Sequence, residues 1–591
     1  MSRNFQWCLL WISASTAGAV LTLTWLPAAF DGQIYYPVGA DSFYHARRIL
    51  DTVAAPHEFY EFDPYIHAPE GSLLTWPWAY NWLAAQLIRA VLALTDIGPP
   101  LKILVYLPLL MLPVNLGLLV LLCRILNFQR WTAVLVAMCY AGLPLTRELH
   151  AVGRIDHHFL EHFFFLAYVV AIVHWTKTES RVGALTTGAV LGLAPGFHCG
   201  LIVLQGIYVL TILLLYARGK FGLGPGAKYF AGAFTGAGVL VLLPSEALWL
   251  GRFELYYLAG LHVFSGLICL ALTLTLAQQR KWVPAAIIVL PLIAAACGLV
   301  WDQIHHGARF VGAALPSLGQ MMEAQSVLGQ LLAGAHASMV ERYSALIYLM
   351  PLFWLATLCL IIKRAPAYLL SLAIAVSAGG LLLWFQLRLH YFGTLALLAP
   401  LALLAESVAR RVERLRWGVG MVSGLAALAA YIPVFATYGT FPALGGDANY
   451  QVARPLLAKL GERCVEKPGV VLAHFGHGHW LRYHTQCQVI ANNMIMTPQH
   501  FEKIALTQML LDTDVQTLRR SYPNIRYVFL TRQDNPLIPT VKSEVMAQNP
   551  SLARQLLLGK AAHPSVELLG KVSFQLADGT QLPFAAAYEI Q

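Results

Sequence analysis

Long apolar segments alternate with short polar connections over the first 436 residues of the chain. Because an apolar run of about 18 or more residues is typical of a helix that crosses a bilayer, we predict about thirteen transmembrane helices. The fifth of these runs is shorter than a full span. The predicted helices lie at about 8–29, 101–123, 131–146, 158–175, 183–196, 201–217, 229–250, 256–277, 284–301, 345–362, 366–385, 389–406 and 417–435.

Basic residues fall in every second connection between these predicted helices. With the N-terminus placed in the cytoplasm, each inner connection is short and basic, as the positive-inside rule requires. An error of one in the number of helices would break this alternation, so the agreement tests the topology. The basic residues of the predicted inner connections are Arg124, Arg130, Lys177, Arg181, Arg218, Lys220, Lys228, Arg280, Lys281, Lys363, Arg364, Arg410, Arg411, Arg414 and Arg416.

Two predicted outer connections, at about 30–100 and 302–344, are much longer than ordinary loops, and loops of this length are usually functional. After about residue 436 the chain becomes more polar, and residues 437–591 predict one α/β domain on the outer side. Its predicted elements are two buried strands, at Gly469–Ala473 and Tyr527–Thr531, and two helices, at Pro498–Leu511 and Val541–Gly559.

Composition supports a membrane protein. The 591 residues are 58% hydrophobic and only 12% charged, with a mean hydropathy of +0.60, whereas a soluble chain is about one quarter charged. Basic residues of the predicted inner connections contribute to the net charge of +10. The chain has no basic arm with interleaved aromatic residues, so its charge does not indicate nucleic-acid binding. Residues Met1–Phe30 predict an uncleaved first helix, because the apolar core of a signal peptide is usually shorter.

Two segments at predicted outer membrane edges carry candidate metal ligands. In Val38–Arg48, Asp41 is either a ligand or a helix N-cap, which is an ordinary role for Asp before a helix. In Gly153–Glu161, Asp156 and His158 stand two residues apart. Carboxylate oxygens suit magnesium or manganese, and imidazole tolerates manganese or zinc. This segment therefore predicts a divalent metal site, with capping as the alternative.

Two glutamates and one arginine are further candidates. Glu323, in the sequence Met-Glu-Ala-Gln, and Glu341 both lie in the connection 302–344, where either can instead be a solvated loop residue. Arg388 lies between the eleventh and twelfth predicted helices. It can extend from the membrane edge into water, or it can bind a phosphate or carboxylate group through its planar guanidinium.

A histidine-rich segment, His474–Trp480, lies in the predicted C-terminal domain. Its three histidines allow a zinc site, while its glycines predict a tight loop that closely approaches another group. Of the nine cysteines, only Cys464 and Cys487 lie neither in nor at the end of a predicted transmembrane helix. They are a candidate disulfide if this part of the chain is extracytoplasmic.

Taken together and in order, these segments resemble the motifs of the catalytic subunit of oligosaccharyltransferase, especially the single-subunit archaeal and bacterial enzymes of the glycosyltransferase C class. One such motif is a weak signal, whereas five in order along the whole chain are specific. The chain has no Lys-containing Gly-rich phosphate loop, Gly-x-Ser-x-Gly elbow or His-Glu-x-x-His motif. The matching segments are Asp41–Arg47, Leu74–Asn81, Gly153–Glu161, Glu323–Gln325, and Arg388 with Tyr391 and Phe392.

The resemblance implies a polytopic α-helical membrane domain with the glycosyltransferase C fold, residues 1–436, and a C-terminal extracytoplasmic mixed α/β domain, residues 437–591. It implies an enzyme of the cell (inner) membrane that transfers a glycan from a polyprenyl-pyrophosphate carrier to a protein asparagine. The active site and the C-terminal domain would both face the periplasmic, or extracytoplasmic, side.

The resemblance also assigns roles to the candidate residues. Asp41, Asp156 and His158 would hold Mn²⁺ or Mg²⁺. Glu323 would complete this site or touch the acceptor, with Glu341 as the second candidate, and the family's acceptor amide is proposed to be held by acidic side chains, here Asp41 and Glu323. Arg388 would bind the pyrophosphate of the donor.

The chain departs from the family in the motif that recognises the acceptor Ser or Thr, Trp-Trp-Asp-Tyr-Gly. Only its final glycine and a downstream Trp are matched. Because strong discrimination for a hydroxyl needs a buried hydrogen-bond partner, the Asn-x-Ser/Thr rule is not carried over, and the acceptor stays open. The aligned residues here are His474, Phe475, Gly476, His477 and Gly478.

Two other functions stay open. One is a C-class transferase that uses a polyprenyl-monophosphate sugar and a lipid or glycan acceptor, which the missing Trp-Trp-Asp supports. The other is a transporter or lipid-binding scaffold, in which charges would line a path through the bilayer. The gathering of the candidate residues at one predicted face of the membrane weighs against that last function.

Overall fold

A computed structural model of the chain describes residues 3–219, 226–278, 325–363, 365–411, 448–531, 565–575 and 581–591, with isolated residues at 224, 291, 294, 297, 298, 301 and 556. Within these residues, eight helices are long and apolar enough to cross a membrane. The chain is therefore a multi-pass membrane protein. The eight helices are Asn4–Leu23, Pro100–Ile125, His158–Thr178, Cys199–Ala217, Gly260–Gln278, Ala345–Ile362, Ala367–Phe385 and Leu387–Arg410.

Three further predicted spans coincide with shorter apolar helices, at Arg130–Gly142, Arg181–Leu193 and Gly226–Leu242. The predicted spans at 417–435 and, apart from five isolated residues, at 284–301 lie outside the described residues, so the total of thirteen stays a prediction. Other helices of the described part are Leu26–Ala29, Ala40–Ala54, Trp78–Leu94, Pro144–Leu149, Glu246–Trp249, Val327–Leu332, His336–Tyr343, Ala448–Glu466, Gly478–His484, Pro498–Leu511 and Val515–Ser521.

The chain divides into two compact units. The first comprises Met1–Phe30, Trp76–Tyr80 and Val105–Pro442, and the second comprises Asp31–Thr75, Asn81–Leu104 and Ala443–Gln591. The helix Ala40–Ala54 packs on the helix Gly478–His484, so most of the connection 30–100 is grouped with the C-terminal segment. The predicted domain boundary between residues 436 and 437 stays a prediction.

In the first unit, glycines allow two short apolar helices to pack closely. A Cβ atom at Gly188, in Arg181–Leu193, would clash with the carbonyl oxygen of Phe230, in Gly226–Leu242. A Cβ atom at Gly192 would lie 2.5 Å from the carbonyl oxygen of Phe234. Small residues four positions apart are typical of helix pairs in membranes, where close packing replaces the hydrophobic effect between helices.

The second unit contains a mixed sheet. Its strands are β3 (Val470–Ala473), β4 (Gln488–Val489), β5 (Ile525–Thr531), β6 (Val566–Gln575) and β7 (Gln581–Ile590), in the order β4-β3-β5-β7-β6, and β1 (Phe62–Asp63) pairs separately with β2 (Ser72–Leu73). The pairs β3–β4 and β3–β5 are parallel, and β5–β7 and β6–β7 are antiparallel. The C-terminal segment is therefore mixed α/β.

A buried ion pair joins distant parts of the second unit. Nε of Arg482 donates to Oδ2 of Asp63 at 2.9 Å, and Oη of Tyr44 donates to the same oxygen at 2.8 Å. Nη2 of Arg482 also donates to Asp51 at 3.2 Å. Although burial opposes the charge, these carboxylates raise the pKa of Arg482. The pair thus ties the segment 44–63 to the helix Gly478–His484.

Two other long-range links stabilise this unit. A disulfide joins Cys464 and Cys487, whose Cα atoms are 5.4 Å apart. Fully buried histidines His67 and His500 lie with ring centroids 4.7 Å apart. Burial, together with the charge of Lys503, lowers the pKa of His67 to about 4, and burial beside His67 lowers the pKa of His500 to about 2.

We expect Gly188→Ala to destabilise the first unit, because the added methyl group meets backbone atoms that cannot move away independently. Overpacking of this kind typically costs about 1–3 kcal/mol. The matched control is Gly236→Ala, at a helical glycine with open space around its Cβ position. Thermal unfolding in detergent should show a lower Tm for Gly188→Ala only; equal Tm values for both variants would contradict the close packing.

We also expect the free energy of unfolding to decrease as the pH is lowered from about 6.5 to about 4. A histidine with a lowered folded pKa takes up its proton only on unfolding, so its contribution is complete above the unfolded pKa and is lost towards the folded one. For His67 this amounts to roughly 3 kcal/mol, at about 1.4 kcal/mol per pH unit. His67→Gln should flatten the dependence of Tm on pH, whereas a control at the exposed His57, His57→Gln, should not. Parallel Tm curves for all three proteins would contradict this assignment.

Candidate active site

The predicted metal motif of the first unit forms a tight turn into a transmembrane helix. Gly153 has a φ of 86°, a conformation that favours glycine, and its N–H donates to the carbonyl of Val105 at 2.8 Å. Oη of Tyr80 donates to the carbonyl of Ile155 at 2.5 Å. These contacts fix the backbone just before His158, the first residue of the helix His158–Thr178.

Asp156 and His158 are brought together at this turn. Nε2 of His158 lies 3.2 Å from Oδ2 of Asp156, and Nδ1 of His157 lies 2.7 Å from Oδ1 of the same carboxylate. His157 is almost completely buried, and Asp156 and His158 are mostly buried, with side-chain exposures of 13% and 18%. The carboxylate thus faces two imidazole rings at the N-terminal end of a helix, where negative charge is stabilised.

Glu161 and His198 extend this cluster. Nδ1 of His158 and Oε2 of Glu161 are 2.5 Å apart with hydrogen-bond geometry. Nδ1 of His198 and Oε1 of Glu161 are also 2.5 Å apart. The Glu161 side chain is only 1% exposed. A buried carboxylate is therefore shared by two imidazoles.

Aromatic rings and an arginine complete one side of the site. The ring of Tyr391 stacks on His158 with centroids 5.2 Å apart and an interplanar angle of 17°. Arg388 lies in the short turn Leu387–Leu389 just before Tyr391. Burial lowers the pKa of His198, and neighbouring His157 and then Arg388 add smaller contributions to that lowering.

A second carboxylate of the first unit is paired with arginines. Nη2 of Arg154 donates to Oε1 of Glu148 at 2.5 Å, and Nη2 of Arg342 lies 3.6 Å from the same oxygen. Burial alone would raise the pKa of Glu148, but these two arginines lower it to about 2. Glu341 precedes Arg342 on the helix His336–Tyr343. Glu323 lies outside the described residues.

Asp41 belongs to the second unit. It lies in the first turn of the helix Ala40–Ala54, whose N-cap residue is Gly39, so Asp41 is not the cap. Its Oδ1 atom lies 3.5 Å from Nε2 of the buried His479. Of the three residues predicted to bind one ion, Asp156 and His158 are therefore adjacent within one unit, and Asp41 is in the other.

The histidine-rich segment is a structural turn. Nδ1 of His474 accepts a hydrogen bond from the N–H of Gly476 at 3.2 Å, and Nε2 of His477 lies 3.0 Å from Oγ1 of Thr531. A Cβ atom at Gly478 would clash with the carbonyl oxygen of Ala491. Among the described residues, the histidines of this segment form no group with metal-ligand spacing.

The donor atoms of Asp156 and His158 are suited to a divalent ion. A neutral imidazole has one N–H and one lone pair. In the neutral ring with Nδ1–H donating to Glu161, Nε2 of His158 would carry its lone pair on the side of Oδ2 of Asp156, as a metal ligand requires. Two acceptor atoms thus converge at 3.2 Å, roughly the separation of two ligands with metal bonds of about 2.0–2.2 Å.

Sequence reasoning missed the roles of Glu161 and His198. Glu161 was visible, because residues three apart on a helix share one face, so it had to lie near His158. The signal for His198 was weaker. It is a single polar residue in Pro195–Gly200, which connects two apolar segments. This connection and the Asp156 turn are predicted to lie on the same side of the membrane.

Comparison with known proteins gives one relative by sequence. No family model matches the chain. The dolichyl-phosphooligosaccharide-protein glycotransferase 1 of Archaeoglobus fulgidus is 32% identical over 143 residues, which are 23% of this chain and 22% of that relative. The match thus covers about one fifth of the relative's length.

Solved structures are similar over most of the chain. The apo crystal structure of the Archaeoglobus fulgidus oligosaccharyltransferase superposes with a TM-score of 0.73 and 17% identity, covering 90% of this chain and 70% of that chain. A mycobacterial arabinofuranosyltransferase gives a TM-score of 0.52 and 14% identity, covering 100% of this chain and 42% of that chain. At these identities the likeness concerns the fold. It confirms that the chain has the glycosyltransferase C fold with a C-terminal sheet domain.

Proposed function

We propose that the chain is a membrane glycosyltransferase that transfers a glycan from a polyprenyl-pyrophosphate carrier to an acceptor polypeptide. The observation that carries the proposal is the convergence of Asp156 and His158 at the start of a transmembrane helix. Structures of the Archaeoglobus fulgidus enzyme contain an inhibitory peptide with dolichol-phosphate, or a tethered acceptor peptide with the NVT sequon. They support a lipid-linked donor and a peptide acceptor here.

Asp156 and His158 would hold a divalent ion, Mn²⁺ or Mg²⁺, with Asp41 as a third ligand and Glu323 completing the site or holding the acceptor amide. A structure of the Archaeoglobus fulgidus enzyme in complex with zinc and sulfate supports a divalent ion at a site of this family. Such an ion, when bound, supplies positive charge that stabilises a leaving pyrophosphate.

Arg388 would bind the phosphate oxygens of the donor. Its planar guanidinium can donate two parallel hydrogen bonds to one phosphate. Its position beside Tyr391, which stacks on His158, supports this role, because a phosphate held there would lie near the candidate metal ligands. Donors fixed in place before the reaction stabilise developing negative charge without reorganising.

The site would face the outer side of the cell membrane. The basic residues of the inner connections support this orientation through the positive-inside rule. The turns that carry Asp156, His198 and Arg388 all lie in connections of the opposite parity. A donor glycan presented at that face would meet polypeptides that have already crossed the membrane.

A second candidate donor is a polyprenyl-monophosphate sugar, with a lipid or glycan as acceptor. The segment His474–Gly478 favours it, because it lacks the two Trp and the Asp that recognise the acceptor hydroxyl in the family. Purified protein supplied with both donor types, and with peptide and lipid acceptors, would separate the two reactions.

Asp156→Ala is expected to abolish glycan transfer while leaving the protein folded, because it removes one of the two converging ligand atoms. The measurement is mass spectrometry of an acceptor peptide after incubation with the lipid-linked donor and Mn²⁺. The control is Asp96→Asn, at an exposed carboxylate. Full transfer by Asp156→Ala, or by the unchanged protein in excess chelator, would refute the metal-dependent reaction.

Arg388→Lys is expected to lower kcat/KM by about 10²-fold or more, because an ammonium group keeps the charge but loses the paired donors. The control is Arg252→Lys, at a half-exposed arginine beside Glu254. Initial rates at several donor concentrations give the ratio for each variant. If Arg388→Lys and Arg252→Lys have the same kcat/KM, Arg388 does not contact the donor phosphates.

A further inference from the structure

Glu161 is a buried carboxylate at the centre of the histidine cluster of the first unit. Its side chain is 1% exposed, and its two oxygens lie 2.5 Å from Nδ1 of His158 and 2.5 Å from Nδ1 of His198. An isolated carboxylate in such a place is strongly destabilised. The two imidazoles, together with the hydroxyl of Tyr391, compensate its burial.

The local helix explains why Glu161 meets His158. Both residues lie in the first turn of His158–Thr178, three positions apart, and side chains at this spacing share one face. His198 comes from a different part of the chain, between the short turns Ala194–Gly196 and Cys199–Ile202. The contact between His198 and Glu161 thus depends on the fold and not on the helix alone.

The hydrogen bond to Glu161 decides which nitrogen of His158 faces Asp156. A carboxylate only accepts, so Nδ1 of His158 carries the proton in this bond. Nε2 is then the atom that lies 3.2 Å from Oδ2 of Asp156. If the ring were turned over, a carbon atom would occupy this position, and the two ligand atoms would no longer converge.

The neighbours of His158 leave the ring little other freedom. Tyr391 stacks on it with a centroid separation of 5.2 Å. The ring of His157 lies 4.7 Å from it and is itself stacked on His198 at 4.5 Å. These contacts restrict the plane of the ring, but they do not decide whether a nitrogen or a carbon atom of the ring faces Asp156. Glu161 supplies that distinction.

We infer that Glu161, held in place by His198, is a positioning residue that fixes the tautomer and the orientation of His158 for metal binding. Carboxylates that accept from a metal-bound imidazole commonly act in this way, and their loss lowers metal affinity by about 10–100-fold. The inference rests on the proposed function, in which Asp156 and His158 are the metal ligands. It adds a role for Glu161 and His198, which in this arrangement would act through His158.

The test is the affinity of the purified full-length chain for Mn²⁺, measured by calorimetry in detergent. Glu161→Ala should weaken binding about 10–100-fold. Glu161→Gln should restore part of the affinity, because the amide oxygen still accepts from Nδ1 of His158. His198→Ala should give a smaller loss than Glu161→Ala. The control is Glu179→Gln, at an exposed glutamate just after the C-terminal end of the same helix.

The outcomes separate this inference from the proposed function. If Asp156→Ala loses Mn²⁺ binding while Glu161→Ala keeps it, the positioning role is refuted and the metal site stands. If the unchanged protein does not bind Mn²⁺, or Asp156→Ala binds it normally, the metal site itself is refuted. Two ions per chain by elemental analysis, with one lost in Glu161→Ala, would make Glu161 a ligand and would overturn the positioning role. A lower Tm for Glu161→Gln with unchanged affinity would show a merely structural contact.

Discussion

The buried ion pair between Arg482 and Asp63 joins two distant segments of the chain within the second unit. Breaking a buried pair by removal of one partner typically costs about 3–5 kcal/mol, because the remaining charge has no compensation. Tyr44, Tyr65 and Asp51 supply further hydrogen bonds to the two side chains. Since these residues lie more than 400 positions from Arg482, the pair holds together chain segments that hydropathy alone separates, and it anchors the helix on which Asp41 lies.

In the first unit, too, the buried carboxylates near the candidate site have partner groups that compensate their charge. Glu148 is neutralised by Arg154 and Arg342, whereas Glu161 has imidazoles and the hydroxyl of Tyr391 as its partners. Guanidinium groups are always charged, so the Glu148 cluster is fixed in composition. Imidazoles can exchange a proton for a metal ion. The two carboxylates thus differ in the groups that surround them.

Much of the fold followed from the sequence. The helix Pro498–Leu511 and the strands Val470–Ala473 and Ile525–Thr531 lie where the apolar pattern predicted them. The predicted helix Val541–Gly559 is outside the described residues apart from Leu556. The strands Val566–Gln575 and Gln581–Ile590 were missed, because the latter has an Ala-rich centre with weak strand propensity. Asp156 and His158 were paired from their local spacing, whereas His198 reaches Glu161 only through tertiary packing, which no local pattern encodes.

The disulfide between Cys464 and Cys487 has a consequence for how the protein matures. Both sulfurs are completely buried once the bond has formed. Disulfides persist in oxidising compartments and are rare where cellular thiols are kept reduced. The bond therefore indicates the compartment in which the C-terminal segment folded. The fraction of oxidised Cys464 and Cys487 in cells would report the orientation of the chain without any added tag.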